Sequence, residues 1–517
     1  MTADAGRSER GAGVHPIVGH LRPDIGPADR QRVDRLANRI VAADPAISAN
    51  DVFGPNVEAG LSPGPTLHIH GLRQRYSSGL AYAREHRAFL LARDGDVVAM
   101  SHRPVEAFRD HCREDLGLGA PTILVPESSR RSKHLALRCR ADNGAVGRLS
   151  ELARSAGHLN VAPYEASGSV WAFAELIART SGVAVHVAGP PPRLSRRVND
   201  KVWFSEQVIE LLGREAIPPT TSARSWAMLA DRVRRCAREN GSVGIKLPSA
   251  SGAMGNLVID SDLILGQPTL QGVVQELRRL LRHLGWENPF PILVSVWEAP
   301  VAATPSVQLW IPLEGDGDPI IEGVFDQRVG TKAGKFVGCS PTAMPRYHRE
   351  WLAYEATLLG LLFQRLGYFG RCSFDSILVG DDIANAELHW IECNGRWGGT
   401  SIPMTLANRL AGDWITRPFV ATGNVLGGST ATLAQVREAA ADLIFDPARG
   451  TGLIFLSPTA AETGTGLDIM MMGESVEEAD RAASEAIDFL SSVGDEHRSG
   501  RDPSSVAQPR SVSPMPS

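Results

Sequence analysis

The 517-residue chain has no cysteine pair at metal-ligand spacing, no long apolar run and no excess of basic residues. Its six cysteines (Cys112, Cys139, Cys236, Cys339, Cys372 and Cys393) are scattered without a C-x-x-C. That excludes the usual zinc-site spacing and suits a reducing, cytoplasmic setting. No apolar stretch approaches the ~18 residues of a membrane span, and the opening "MTADAGRSERGAGVHP" lacks the apolar core of a secretory leader. The formal net charge of −5 argues against broad binding of nucleic acid or an anionic membrane, yet permits a local cationic cluster around a small anion. A motif-grade Ser–His or Cys–His arrangement is missing too, so nothing points to a protein nucleophile.

What is present is an ordinary globular composition, 43% apolar and 21% charged, in a chain long enough for two to four cores. Residues 1–28 and 496–517 are polar and Gly-, Ser- or Pro-rich, and read as disordered tails. From 29 to 190, strand-like runs ("PTILVP", "LNVAPY", "VAVHVAG") alternate with helical ones ("VGRLSELARSAG", "VWAFAELIART"), which predicts an α/β domain with parallel pairing. Within it, "AFLLARDGDVVAM" reads as a hairpin about Asp94-Gly95. "GPPPRLSRRVND" (189–200) reads as a connection. Residues 191–420 carry most of the suggestive chemistry. Residues 421–495 form a small α/β unit, with strand-like "GTGLIFLSP" and a late helix opened by Ser475 and Glu478 in capping-box spacing.

The densest signal is "LHWIECNGRWGG" (388–399). Glu392, Asn394 and Arg396 recur at every second position, so on a strand they share a face. "GRCSFDSILVGDDIANAELHWIECNGR" reads as a hairpin in which facing residues sum to 767. Asp375 then opposes Glu392, Ser373 opposes Asn394, Ile377 opposes Trp390 and Val379 opposes Leu388. Two carboxylates face to face repel unless a cation joins them. A hard divalent ion, Mg²⁺ or alternatively Mn²⁺, takes such oxygen donors together with nucleotide phosphate. Arg396 can fork onto a phosphate or a carboxylate.

A second cluster is "SVGIKLPSASGAMGN" (242–256). Here Lys246 ends a strand ahead of a small-residue loop whose backbone N–H groups can approach phosphate. Lys201 opens a helix, where a cation opposes the dipole unless an anion is near; taken alone it reads as solvated. "PILVSVWEAPVAATPSVQLWIP" (291–312) reads as a linker between two lobes. It carries Glu298, an acceptor for an adenine amine or a ribose. "GTKAGKF" (330–336) fails as a Walker loop because its spacing is short and Phe336 replaces the hydroxyl residue. "HIH" (68–70) alternates as strand ligands would, yet has no third ligand, and reads as a loop pair without metal.

In this order the motifs resemble the ATP-grasp superfamily, over about residues 191–420. The resemblance implies an ATP-grasp fold preceded by an α/β pre-ATP-grasp domain (29–190) and followed by a small α/β C-terminal domain (421–495). It implies that Lys201 and Lys246 contact the phosphates of ATP. The loop 249–255, with Ser249, Ser251, Gly252 and Gly255, would fold over them. Glu298 and the backbone at Ala299–Val301 would hold adenine and ribose, Asp375, Glu392 and Asn394 would bind Mg²⁺, and Arg396 would meet the transferred phosphate or the acyl substrate. Most of the chain also resembles peptide ligases of the pheganomycin-biosynthesis type, whose C-terminal domain has a similar "GLIFLSP…ESVEEAD" pattern. The implied activity is ADP-forming carboxylate–amine ligation through an acyl phosphate, with Lys246 and Arg396 as catalytic groups. The implied partners are small-molecule or peptide acids and amines, not nucleic acid or membrane, and a homo-oligomer is compatible. Rival readings are a carboxylase or acyl-phosphate-forming kinase of the same superfamily, and a nucleotide-binding regulator without turnover.

Overall fold

The computed structural model describes residues 17–71, 78–127, 134–248, 255–286, 290–330 and 336–499. Its strands form three sheets. The first comprises β1 (Val57–Ala59), β2 (Thr66–Ile69), β3 (Val97–Ala99), β4 (Thr122–Leu124), β5 (His158–Pro163) and β6 (Ala184–Val187), in the order β1-β6-β5-β2-β3-β4. Every pairing in it is parallel, as the strand–helix alternation predicts. The second comprises β7 (Thr220–Ala223), β8 (Ser242–Lys246), β9 (Asn256–Asp260) and β10 (Ile292–Val296), antiparallel in the order β7-β10-β8-β9.

The third sheet has nine strands: β11 (Val301–Ala303), β12 (Pro305–Ile311), β13 (Ile320–Val329), β14 (Phe336–Pro341), β15 (Gly370–Val379), β16 (Glu387–Asn394), β17 (Phe419–Val425), β18 (Gly452–Phe455) and β19 (Leu467–Met472). Its order is β11-β15-β12-β13-β14-β17-β19-β18, with β16 on β15. The strands after residue 420 therefore extend the sheet that carries the 375–392 hairpin. A boundary at 420 falls inside β17.

Three other expectations differ. Residues 88–91 of the expected hairpin are helical or turn, followed by Asp94-Gly95 and then β3, whose two neighbours are both parallel. Phe89, Leu90 and Leu91 are fully buried, and a short apolar run buried on all sides carries no period to tell helix from strand. The 189–200 segment contains the helix Pro192–Val198, started by a proline in its first turn. Residues 17–28 are not a free tail. His20 N–H bonds the Ile321 carbonyl at 3.0 Å, and the helix Pro27–Ala43 begins there.

The late helix, Val476–Ser499, follows the sequence reading. Ser475 Oγ accepts from Glu478 N–H at 3.1 Å, and Ala479, Ala483 and Leu490 are buried. Glu478 itself returns to the Glu474 N–H rather than to Ser475. The 68–70 histidines lie at the end of β2, both with no exposure. His68 Nε2 pairs with Asp96 Oδ2 at 3.2 Å. Among the described residues no His, Cys, Asp and Glu cluster of three could hold a metal.

No helix among the described residues is long and apolar enough to cross a membrane.

Candidate functional site

The site forms where the second sheet meets the third. β10 ends at Val296, and the chain passes through Glu298 to β11 and β12 of the other sheet. Of the linker expected over 291–312, only 297–300 therefore runs between the two sheets, the rest being strands β10, β11 and β12 with short joins.

Asp375 faces Glu392, and Ser373 faces Asn394. Past that pair the register slips by one: Ser376 faces Trp390, Ile377 faces His389 and Val379 faces Glu387. Ile391 is the extra residue, a β-bulge. The uniform sum of 767 thus holds on the polar side and fails on the turn side. A bulge increases local twist and re-aims the neighbouring side chain; here it separates buried Trp390 from the polar row.

Asp375 accepts from Ser306 Oγ at 2.7 Å and from Asn394 Nδ2 at 2.8 Å. Burial, and then the charge of Glu392 opposite, push its carboxyl up to about 6. Burial is the largest influence on Glu392 and disfavours its charge, but Lys201, Arg396 and Lys246 together outweigh it and hold that carboxyl below its usual range. Lys201 forms an ion pair with Glu392 and is 6% exposed, so the solvated reading is wrong. Its position follows from local folding. Asp200 caps the helix Lys201–Leu212 by accepting from Val202 and Trp203 N–H at 2.9 and 3.3 Å. Lys201 N–H bonds the Pro248 carbonyl at 3.0 Å, which draws the helix start to the chain leaving Lys246.

Lys246 ends β8 opposite Asn256 and Leu293, with Nζ 5.7 Å from the Trp297 ring centre. Burial, and then the neighbouring Lys201, lower its pKa to about 8, against the pull of Glu392 and Glu298. The segment after it is closed at its base by the bond from Leu247 N–H to the Gly255 carbonyl, 2.8 Å. Ser249, Ser251 and Gly252 lie outside the described residues. Glu298 is half-committed: its Oε2 meets His389 Nδ1 at 2.7 Å. Ala299 lies in the linker and Val301 pairs with Val379, leaving its side chain exposed.

Arg396 follows a tight turn in which its N–H bonds the Asn394 carbonyl at 2.8 Å. Gly395 makes that turn possible. A Cβ there would lie 2.5 Å from Val198 Cγ2, and its N–H bonds Asn199 Oδ1 at 3.1 Å. Arg396 opens onto a solvent-connected cavity between the carboxyl ends of β5 and β6 and the start of β15. Trp310, Tyr368, Arg371 and Trp397 also line it, and none of these was singled out in the sequence. Arg371 could have been: it shares the alternation of Ser373 and Asp375 on one strand.

Residues 85–179 match the family model of the Pre ATP-grasp domain. No curated protein matches the chain in sequence. Among solved structures, an ADP complex of N5-carboxyaminoimidazole ribonucleotide synthetase is similar at TM-score 0.51 and 12% identity, over 85% of this chain and 99% of that one. A β-γ-ATP complex of biotin carboxylase from Campylobacter jejuni is similar at TM-score 0.51 and 15% identity, over 84% of this chain and 95% of that one. The fold is therefore an α/β ATP-grasp architecture with a pre-ATP-grasp domain ahead of it.

Proposed function

We propose that this chain is an ADP-forming ligase that joins a carboxylate to an amine at the expense of ATP. The observation that carries the reading is the register pair Asp375–Glu392, flanked by Asn394, with Lys201 on one of its carboxylates and Lys246 nearby. The donor set fits a hard divalent cation, because two like-charged carboxylates and an amide oxygen are typical partners of Mg²⁺ or Mn²⁺. Asp375, Glu392 and Asn394 would hold that ion, which when bound supplies charge neutralisation to phosphate oxygens. The complexes of the two similar structures with ADP and with β-γ-ATP support a nucleotide ligand.

The chain's own groups do the rest. Lys201 and Lys246 hold the phosphates, and Glu298 with the Ala299–Val301 backbone receives adenine and ribose. A substrate carboxylate oxygen bonds to the γ-phosphorus while the bond to the β,γ-bridging oxygen breaks, and ADP leaves with that electron pair. The amine then attacks the acyl carbon, phosphate departs and the amine nitrogen loses a proton. Arg396 steadies the charge on the transferred phosphoryl group. Positioning and exclusion of water supply most of the catalysis, since acyl phosphates hydrolyse readily. The likeness to pheganomycin-type ligases favours an acid and an amine from specialised peptide metabolism in the cytoplasm.

The test is phosphate release from Mg-ATP with a panel of acids, using hydroxylamine as a general amine trap. Acid-dependent phosphate with matching hydroxamate is expected, falling on the order of 10²–10³-fold in Glu392→Gln. Bicarbonate-dependent phosphate without hydroxamate would favour a carboxylase. Binding of Mg-ATP with no turnover across the panel would favour a regulator, and no binding at millimolar Mg-ATP overturns the reading.

A further inference from the structure

Arg371 begins β15 opposite Trp310 on β12 and is 5% exposed. Its Nη1 pairs with Glu322, which is fully buried. Its Nε and Nη2 meet no acceptor among the described residues. Those two atoms form the side-on edge of the guanidinium, the parallel pair of donors that matches the two oxygens of a carboxylate. A buried donor without a partner is costly, and this chain buries two on one cation. The group is held in place by the faces of Trp397 and Trp310, with centroids 4.8 and 5.7 Å from Cζ. Tyr368 also steadies this stretch, its hydroxyl donating to the Arg371 carbonyl at 2.7 Å.

The cavity beside Arg371 has a lopsided chemistry. Four aromatic residues (Tyr164, Trp310, Tyr368, Trp397) and two guanidinium groups (Arg371, Arg396) line it, the rest of the lining is alanine, glycine and proline, and among the described residues no carboxylate lines it. Such a lining suits an anion and disfavours an ammonium. The aromatic and apolar walls offer contacts to a ligand body that bicarbonate and phosphate do not have. The cavity also lies outside the carboxyl ends of the parallel strands β5 and β6, where open α/β sheets bind ligands.

We propose that this cavity is the acid-substrate subsite, in which the side-on edge of Arg371 clamps a carboxylate whose small apolar or aromatic body lies against Trp310, Tyr368 and Trp397. The assignment rests on the ligase reading and fixes which of the two substrates the cavity takes. The amine must then arrive from another direction. Arg371 is a specificity residue, set on the same strand face as Asp375.

The experiment uses the full chain with Mg-ADP, titrated calorimetrically with benzoate, with benzamide as its uncharged match, with benzylamine as a cation and with inorganic phosphate. Benzoate is expected to bind at least tenfold tighter than benzamide and benzylamine, and phosphate not to displace it. Arg371→Gln is expected to erase the preference for benzoate while Mg-ADP affinity stays within twofold. Because that variant strands Glu322, the pair Arg371→Gln with Glu322→Gln is measured alongside it, and the preference must be lost there too. Arg371→Lys should restore part of it. Equal binding of benzoate and benzamide, displacement by phosphate, or an unchanged preference in the double variant overturns the subsite while Mg-ADP binding leaves the ligase reading standing. A preference that persists in a chain that does not bind Mg-ADP or Mg-ATP overturns the ligase reading, and with it the assignment as an acid subsite.

Discussion

Lys246 shows how a single group can carry opposite pH dependences for stability and for binding. Its folded pKa of about 8 lies below the ordinary lysine value of 10.5, with burial the largest cause and Lys201 the next. Between those two values the unfolded chain binds more protons than the folded one, so this group's contribution to stability rises with pH and is lost below about 8. Nucleotide binding needs the ammonium, so affinity runs the other way. kcat/KM for ATP is expected to fall as pH rises from 7 to 9, with a midpoint near 8, because that parameter reports the free protein. Lys246→Arg keeps the charge at every pH and should flatten the limb, while losing the wild-type gain in melting temperature at high pH. A limb unchanged in Lys246→Arg would take the titration away from this residue.

Elements decide whether these residues meet. The helix Lys201–Leu212 begins with a lysine, against its own dipole, and Asp200 compensates by capping Val202 and Trp203 N–H. Asp200→Ala should cost about 1 kcal/mol of stability and raise the KM for ATP several-fold, since the cap fixes where Lys201 emerges. Asp200→Asn should retain most of both; urea melts and steady-state kinetics separate the two effects. At this scale the sequence was readable where it had a period. The alternation of Glu392, Asn394 and Arg396, and the Asp375–Glu392 opposition, follow from strand geometry alone. The slip at Ile391 does not, because a bulge depends on what each face must bury, and Trp390 is drawn into the core against Phe374 and Glu355. Arg371 escaped notice for a related reason. Its meaning lies in Glu322 taking one nitrogen and leaving two, a fact of tertiary packing. The run 88–92 misled because burial on every side removes the contrast that periodicity needs.

At the scale of the whole molecule, the sheets are less separate than the sequence suggests. One apolar core joins Phe89, Leu90, Phe108 and Leu116, near the first sheet, to Met404, Phe455, Met470 and Leu490 of the later chain. Polar ties cross the same boundary. Arg437 forks onto Asp115 at 2.6 and 2.7 Å, Asp115 holds His111 Nδ1 at 2.7 Å, and His111 Nε2 accepts the Phe455 N–H at 3.0 Å. Arg409 reaches the carbonyls of Leu90 and Ala92 at 2.6 and 3.1 Å. The backbone amides of β3 and β19 are therefore expected to exchange hydrogen with the same opening free energy. Arg437→Ala should lower both together by about 1–3 kcal/mol. Loss of protection in β3 alone would show two independent units. The shared core also limits how such a protein can diversify by recombination. A crossover that imports a foreign segment 85–179 would cut through packed side chains instead of a linker, leaving unmatched halves of one interior. Chimeras meant to acquire a new acid specificity would have to carry residues 402–490 with the graft, or change the cavity one residue at a time.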